Sequence, residues 1–291
     1  MKKKPSIGYI GLGLMGGPMT QHLVKKSYEI HGFDILEKQR EAAQAWGVIA
    51  HQDLQSTVIG RDLIVLNLPT TAAVEDVVFG DQGIAQVIKP YQCVVDFSTI
   101  KVGTGKKLIQ KLLQETGCAW VDAPVSGGPM AAGSGTLTVM AGAREQDLPL
   151  IQTLMDDVSS QFSVVGLPGS GLVAKMLNQL MVGCLHAVIA ETVAVAEGAG
   201  IDAALIPQAL TGGHADGVAF QLLYPRMLAR DHAPRGYVRQ LLKDLDMVQD
   251  YAGSLKVPTP MTAQAQTLYR MLAHWGHTEL DTSAIMKVYD R

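Results

Sequence analysis

Three groups of residues in this sequence have types and spacings that could do chemistry. The first is Gly11-Leu12-Gly13-Leu14-Met15-Gly16, which has the G-x-G-x-x-G spacing. It follows an apolar run at 6–10 that predicts a strand, and it opens a helical stretch at 15–26. In that context the first two glycines let the backbone turn tightly and approach a pyrophosphate. The helix N-terminus offers N–H groups and partial positive charge, and Gly16 lets helix and strand pack closely. Asp34 ends the second predicted strand, 18 positions after Gly16. A carboxylate there accepts hydrogen bonds from an adenosine ribose and repels a 2′-phosphate. The chemistry implied is dinucleotide binding with NAD favoured over NADP, although Lys38 and Arg40, nearby in sequence, pull the other way.

The second group is Asp122-Ala123-Pro124-Val125-Ser126-Gly127-Gly128. The Ser126 hydroxyl and the backbone N–H groups of Gly127 and Gly128 can hold a carboxylate by fixed dipoles. On spacing alone, a flexible glycine loop is an equal reading. The third group centres on Lys175, in the first turn of a very apolar helix just past the joint Gly-Leu-Pro-Gly-Ser-Gly at 166–171. The positive end of the helix dipole and burial both disfavour its charged form, and a lysine so tuned exchanges protons near neutral pH. Asn178, three positions on, shares its helix face, and Gln179, four on, is the alternate occupant. Taken alone, a lysine snorkelling at a domain seam is the commoner case. Lys243-Asp244 alone reads as an exposed helical charge pair. His186 lies more than ~16 Å along the helix from Lys175 and reads as a core or interface histidine.

These residues need a scaffold. Apolar runs rich in Val, Ile and Tyr at 6–10, 29–33, 62–67, 92–97, 118–122, 136–141 and 161–165 predict strands. Helical patterns at 15–26, 36–46, 73–79, 104–115 and 145–156 alternate with them. The fold class expected is α/β: an N-terminal, Rossmann-type, doubly wound and mainly parallel sheet over 1–165, then an all-helical C-terminal domain over 166–291. That second domain opens with a long helix at 172–199, expected to pack along the first, and continues with helices at 203–210, 219–228, 239–254, 262–273 and 282–289. Leu68, Pro69 and Thr70, and Ser98 and Thr99, follow strand ends where such sheets hold ligands; turn chemistry explains them equally well.

Composition narrows the function classes. The chain has 291 residues, 47% of them hydrophobic, and a net charge of −3. There is no general electrostatic pull on nucleic acid or membrane. Lys2-Lys3-Lys4 reads as a solvated N-terminal stub with no apolar signal segment behind it. The charge-free stretch 176–190 is shorter than the roughly 20 residues a membrane span needs and is expected to be a buried helix. Cys93, Cys118 and Cys184 are scattered and odd in number, with no metal spacing. A reducing, cytoplasmic setting and no metal are expected.

With these motifs in view, the chain resembles the β-hydroxyacid dehydrogenases, a family that includes 3-hydroxyisobutyrate dehydrogenase and tartronate semialdehyde reductase. Four motifs occur in the family's order over nearly the whole chain: 11–16 continuing into Gly17-Pro18-Met19, 122–128, the segment from Gly166 to Lys175, and Lys243-Asp244-Leu245. The resemblance implies an NAD(P)-dependent oxidoreductase that interconverts a small β-hydroxy acid and its semialdehyde, and a homodimer or homotetramer. It implies Lys175 as general acid/base with Asn178 beside it, and Ser126, Gly127 and Gly128 on the substrate carboxylate. It also implies Leu68, Pro69, Thr99 and Lys243 on the cofactor, and Tyr237 near the substrate. Many members carry the asparagine four residues after the lysine, where this chain has Gln179, so either amide could face the substrate. The Asn-Gln pair and the stretch Gln208-Ala209-Leu210-x-Gly212-Gly213-x-Ala215 look most like tartronate semialdehyde reductase. Two other readings compete. One is an imine reductase of the same fold, against which Lys175 counts. The other is a dinucleotide-binding sensor without turnover, which needs neither Lys175, Ser126 nor Lys243.

Overall fold

The computed structural model describes residues 4–290. The chain divides into two compact units, Met1–Lys175 and Met176–Arg291. The first unit runs β1 (Ile7–Ile10), α1 (Gly16–Lys25), β2 (Ile30–Phe33), α2 (Glu37–Ala45), β3 (Ile49–Ala50), α3 (Leu54–Val58), β4 (Leu63–Leu66) and α4 (Thr71–Phe79). It continues through β5 (Cys93–Asp96), α5 (Val102–Thr116), β6 (Ala119–Asp122), β7 (Val125–Ser126), α6 (Gly128–Ser134), β8 (Leu137–Gly142), α7 (Leu148–Val158) and β9 (Ser159–Gly166).

The strands form one sheet in the order β3-β2-β1-β4-β5-β6-β8-β7, with β9 on β8. The pairings from β3 to β6 are all parallel, the doubly wound arrangement whose strand order reverses between β1 and β4. Every residue of β1, β4, β5 and β6 is buried, as helices on both faces require, and each run is accordingly unbroken in apolar or small residues up to its last position. The sheet is not parallel throughout: β8 runs antiparallel to β6 and β7.

Four short elements were not expected from the sequence. β3 and β7 have two residues each, too few for a period-2 signal. The helix α3 has five residues and depends on its cap, Asp53, which accepts the Ser56 N–H at 2.7 Å. The glycines and serine of α6 read as a loop, but they form a seven-residue helix closed by Gly135 in the left-handed conformation. Ser126 therefore ends a strand and Gly128 begins a helix, so this segment is not a flexible loop. Lys4 is not a solvated stub either. Its ammonium pairs with Asp157 at 2.8 Å and lies over the Tyr28 ring, whose hydroxyl also donates to Asp157. Lys2 and Lys3 lie outside the described residues.

The helix α8 (Ser170–Gly198) begins in the first unit and continues into the second. At 29 residues it exceeds the charge-free stretch counted in the sequence, and by length and composition alone it could cross a membrane. The expectation of a buried helix holds on one side only. Met176, Gln179, His186, Ile189 and Val193 are buried, whereas Leu177, Met181, Leu185, Val188 and Val195 are exposed. The second unit adds α9 (Ile206–Leu210), α10 (Val218–Leu228), α11 (Val238–Ser254) and α12 (Pro260–His274) around Tyr224, Met227, Leu245, Tyr269, Leu272 and Ile285. The last expected helix, Thr282–Val288, is a 3-10 helix. Ser283, at its start, lies among the N–H groups that Asp281 binds.

Asp281 is the polar hub of this unit. It is 1% exposed and accepts the N–H groups of Arg235, Gly236 and Ser283 and the Arg226 guanidinium at 2.9 Å. Burial would raise its carboxyl, but the three N–H bonds and the Arg226 charge outweigh it and hold the group below the usual carboxylate range. Its stabilising contribution is therefore present above about pH 4 and lost as pH falls below that. Asp281→Ala leaves Arg226 with Asp231 as its remaining carboxylate partner and strips three backbone N–H groups of their acceptor, and is expected to destabilise the protein by about 2–4 kcal/mol in urea unfolding at pH 7. A loss under 1 kcal/mol would show that the pair is not the hub.

Candidate active site

Each glycine of the first turn has its own physical reason. Gly11 has φ 97°, and a Cβ there would collide with the Asn67 carbonyl; one at Gly16 would collide with the Gly11 carbonyl. Those two glycines are demanded by the protein's own backbone. Gly13 is not, since a Cβ there would meet nothing within 4 Å. The space over Gly13 is open, and among the described residues no side chain caps the first turn of α1. An uncapped helix N-terminus beside an open glycine fits a phosphate group.

Asp34 binds the same turn. One carboxylate oxygen accepts the Leu12 N–H at 2.8 Å and the other the Leu36 N–H at 2.9 Å. Arg40 lies behind it, donating to the Asp34 carbonyl at 2.6 Å and to Gln52. Leu14 and Met15 are half-buried in the turn between Gly13 and Gly16. Beyond β4 and β5, the Leu68 N–H donates to the Ser98 hydroxyl at 2.9 Å, so the segments carrying Leu68, Pro69 and Thr99 are tied together. Thr70 caps α4 by accepting the Ala73 N–H.

The structure brings the second and third motifs together. Lys175 is buried, and its ammonium nitrogen donates to the Val125 carbonyl at 2.8 Å. That carbonyl immediately precedes Ser126. Gly127 and Gly128 have φ of 127° and 68°, a turn that side-chain-bearing residues rarely adopt. The helix that follows, α6, packs on α1, with Gly133 against Pro18 and Gly135 against His22.

Two buried acids have no role in the sequence reading. Asp96 and Asp122 end neighbouring strands and are register partners, and both are fully buried. Asp122 accepts the N–H groups of Gly169 at 2.6 Å and Leu172 at 2.9 Å. Burial pushes its carboxyl up to about 6, partly offset by these bonds. Asp96 accepts the Ser98 N–H through one oxygen, and its other oxygen has no partner among the described residues. Burial pushes it up to about 7, Ser98 opposes this, and the Asp122 charge adds to it. The available signal was an aspartate closing the predicted strand 118–122 and another one residue before the end of the predicted strand 92–97; the Asp122 partners lie too far along the chain for spacing to reveal.

In the second unit, four candidate residues form one chain of contacts. The Asn178 amide donates to Gln179 at 2.8 Å, Gln179 donates to Asp244 at 2.6 Å, and Lys243 pairs with Asp244 at 3.2 Å. Gln179 and Asp244 are buried, while Asn178 and Lys243 are half-buried. Tyr237 is half-buried at the start of α11, with the Arg239 guanidinium over its ring. His186 is buried against the Tyr269 hydroxyl, and burial holds its imidazole down to about 4, neutral at pH 7.

Comparison with known proteins agrees with this geometry. Residues 6–166 match the family model described as the NAD binding domain of 6-phosphogluconate dehydrogenase. Residues 169–289 match the one described as the NAD-binding domain of NADP-dependent 3-hydroxyisobutyrate dehydrogenase. The chain is 32% identical to the NAD-dependent L-serine dehydrogenase of Pseudomonas aeruginosa, with 98% of this chain and 97% of that protein covered. It is 30% identical to the 2-hydroxy-3-oxopropionate reductase of Escherichia coli, covering 98% and 97%. The crystal structure of 3-hydroxyisobutyrate dehydrogenase from Salmonella typhimurium superposes with a TM-score of 0.88 at 28% identity, covering 98% and 100%. An imine reductase from Streptomyces aurantiacus, at 18% identity and a TM-score of 0.67 over 98% and 100%, shares the fold alone. With its glycine turn, its buried lysine and its full-length relatives in agreement, the chain belongs to the β-hydroxyacid dehydrogenase family of NAD(P)-dependent oxidoreductases.

Proposed function

We propose that the protein interconverts a small β-hydroxy acid and its semialdehyde, with Lys175 as the general acid/base. The observation that carries this reading is the Lys175 nitrogen on the Val125 carbonyl, one residue before the Ser126–Gly127–Gly128 turn. When it has given up its proton, the Lys175 amine can donate to that carbonyl and accept a proton from the substrate. The Ser126 hydroxyl and the N–H groups of Gly127 and Gly128 hold the substrate carboxylate. In oxidation Lys175 takes the hydroxyl proton; in reduction it returns one to the aldehyde oxygen. The nicotinamide dinucleotide, when bound, supplies the hydride acceptor or donor. Residues Gly11 to Gly16, Asp34, Leu68, Pro69 and Thr99 would hold it. By resemblance, Asn178 and Tyr237 contact the substrate and Lys243 the cofactor. Gln179, committed to Asp244, is better placed to fix Asn178 than to replace it.

NAD is the preferred form in this proposal, because Asp34 repels a 2′-phosphate and Arg40 is already engaged with the Asp34 carbonyl and Gln52. The relatives named for L-serine, 2-hydroxy-3-oxopropionate and 3-hydroxyisobutyrate act on carboxylates with a hydroxymethyl group, or its aldehyde, on the adjacent carbon. The substrate proposed here has that pattern, with tartronate semialdehyde the first choice. The proposal places the protein in the cytoplasm as a homodimer or homotetramer. The exposed apolar stripe of Leu177, Met181, Leu185, Val188 and Val195 supports self-association.

The test follows absorbance of the reduced nicotinamide with NADH and NADPH against tartronate and succinic semialdehydes, and NAD and NADP against glycerate, 3-hydroxyisobutyrate, L-serine and γ-hydroxybutyrate. Turnover should prefer NAD(H), and Lys175→Ala should lower kcat by about 10²–10⁴-fold while NADH still binds. A Lys175→Ala enzyme with most of its kcat would overturn the reading. The glycine turn gives a second expectation. Gly13→Ala should leave thermal unfolding unchanged but weaken NADH binding at least about tenfold, since only the ligand meets the new methyl. Gly16→Ala should lower the unfolding temperature as well. Equal effects at both positions would mean that the space over Gly13 holds no phosphate.

A further inference from the structure

The first two turns of α8 are joined twice to the segment that runs from the end of β6 into β7. Leu172 N–H donates to the Asp122 carboxylate, and Lys175 donates to the Val125 carbonyl. Each bond spans 50 residues, and the two are separated by three residues on both segments. A helical turn has 3.6 residues, so the first bond sets the rotation and height of the helix at which the second is made. We infer that Asp122 is a positioning residue of this site: its ionised carboxylate fixes the first turn of α8 and thereby places Lys175 beside the Ser126–Gly128 turn. This rests on the role of Lys175 proposed above.

The surroundings leave Asp122 one geometry. A Cβ at Gly142 would lie 2.5 Å from one of its carboxylate oxygens, and one at Gly171 would lie 2.6 Å from its carbonyl and 2.9 Å from the other carboxylate oxygen. The carboxylate is thus enclosed by backbone, with Gly169 and Leu172 as its donors. A carboxylate at a helix N-terminus also meets the positive end of the dipole, so the charged form is the one that binds. The titratable and charged groups near it are Asp96 on β5, Lys106 on α5, whose stem covers Gly169, and Lys175 on α8. Asp96 makes the charge on Asp122 tenable. Two buried acids side by side do not both ionise readily, and the one with an unpartnered oxygen is the one that keeps a proton. The strand ladder thereby assigns the proton to Asp96 and the charge to Asp122.

The first arm of the test uses the unmodified protein. Carbon-13 titration of the carboxyl groups should show Asp122 losing its proton near pH 6 and Asp96 nearer pH 7. Amide hydrogen exchange should show Gly169 and Leu172 losing about tenfold or more of their protection as pH falls below 6, while amides in the middle of α8 keep theirs. The reverse titration order, or protection unchanged from pH 8 to pH 5, would overturn the inference. The second arm uses Asp122→Asn, expected to lower kcat/KM for the hydroxy acid roughly 100-fold with NADH affinity held within about threefold. The part of the acid-side decline of kcat/KM that has its midpoint near pH 6 should vanish with the titrating group, leaving the decline due to Lys175. In a Lys175→Ala background the same substitution should cost less than about threefold, because the residue it positions is gone. A repeated 100-fold loss there would show that Asp122 acts on something else. If Asp122→Asn does not fold, the exchange arm decides. If Lys175→Ala alone retains activity, the proposed function fails while the exchange result still stands or falls separately.

Discussion

A helix N-terminus presents backbone N–H groups that something must answer, and the first unit depends on answering two of them in opposite ways. The first turn of α1 has no side-chain cap among the described residues, and the space over Gly13 is open. The first turn of α8 is closed by the Asp122 carboxylate. The same physical demand leaves one helix end open, where the proposed function puts a phosphate, and closes the other with a carboxylate. The strand order places these two ends beyond β1 and β6 of one sheet, with the strand ends of β4 and β5 between them.

Carboxylates organise this edge of the sheet as much as glycines do. Asp34 follows β2, Asp96 ends β5 and Asp122 ends β6. Among the described residues, none of the three side-chain carboxyl groups accepts a hydrogen bond from a cation. Asp34 accepts from Leu12 and Leu36, Asp96 from Ser98, and Asp122 from Gly169 and Leu172. Each converts a loop that could wander into one with a fixed path by accepting hydrogen bonds from its backbone N–H groups. The glycines beside them are what is left where backbone must pass close to an oxygen.

The elements legible in the sequence were those whose signal is local. The buried parallel strands read as unbroken apolar runs, and the helices of the second unit read from period and length. Short elements escaped: α3 depends on one cap, and α6 is made of residues that favour turns. Within the candidate site, the motif positions were readable but their connections were not. The Lys175–Val125 and Asp122–Leu172 bonds span 50 residues, Gln179–Asp244 spans 65, and Lys4–Asp157 spans 153. Periodicity carries no information about such pairs. This is why Lys4 read as a tail, and why the sequence could not show that Gln179 is bonded to Asp244 and Asn178 to Gln179.

The two bonds made by Asp34 bear on any attempt to redesign the cofactor pocket. Removing its negative charge would admit a 2′-phosphate, which makes this position the obvious first target. The same change strips the Leu12 N–H inside the glycine turn, and the Leu36 N–H after β2, of their acceptor. On the proposed cofactor reading, selectivity and the shape of the glycine turn therefore depend on one side chain. A successful retargeting has to supply a new support for the turn along with a new cation for the phosphate, so single substitutions are a poor starting library and paired ones a better one.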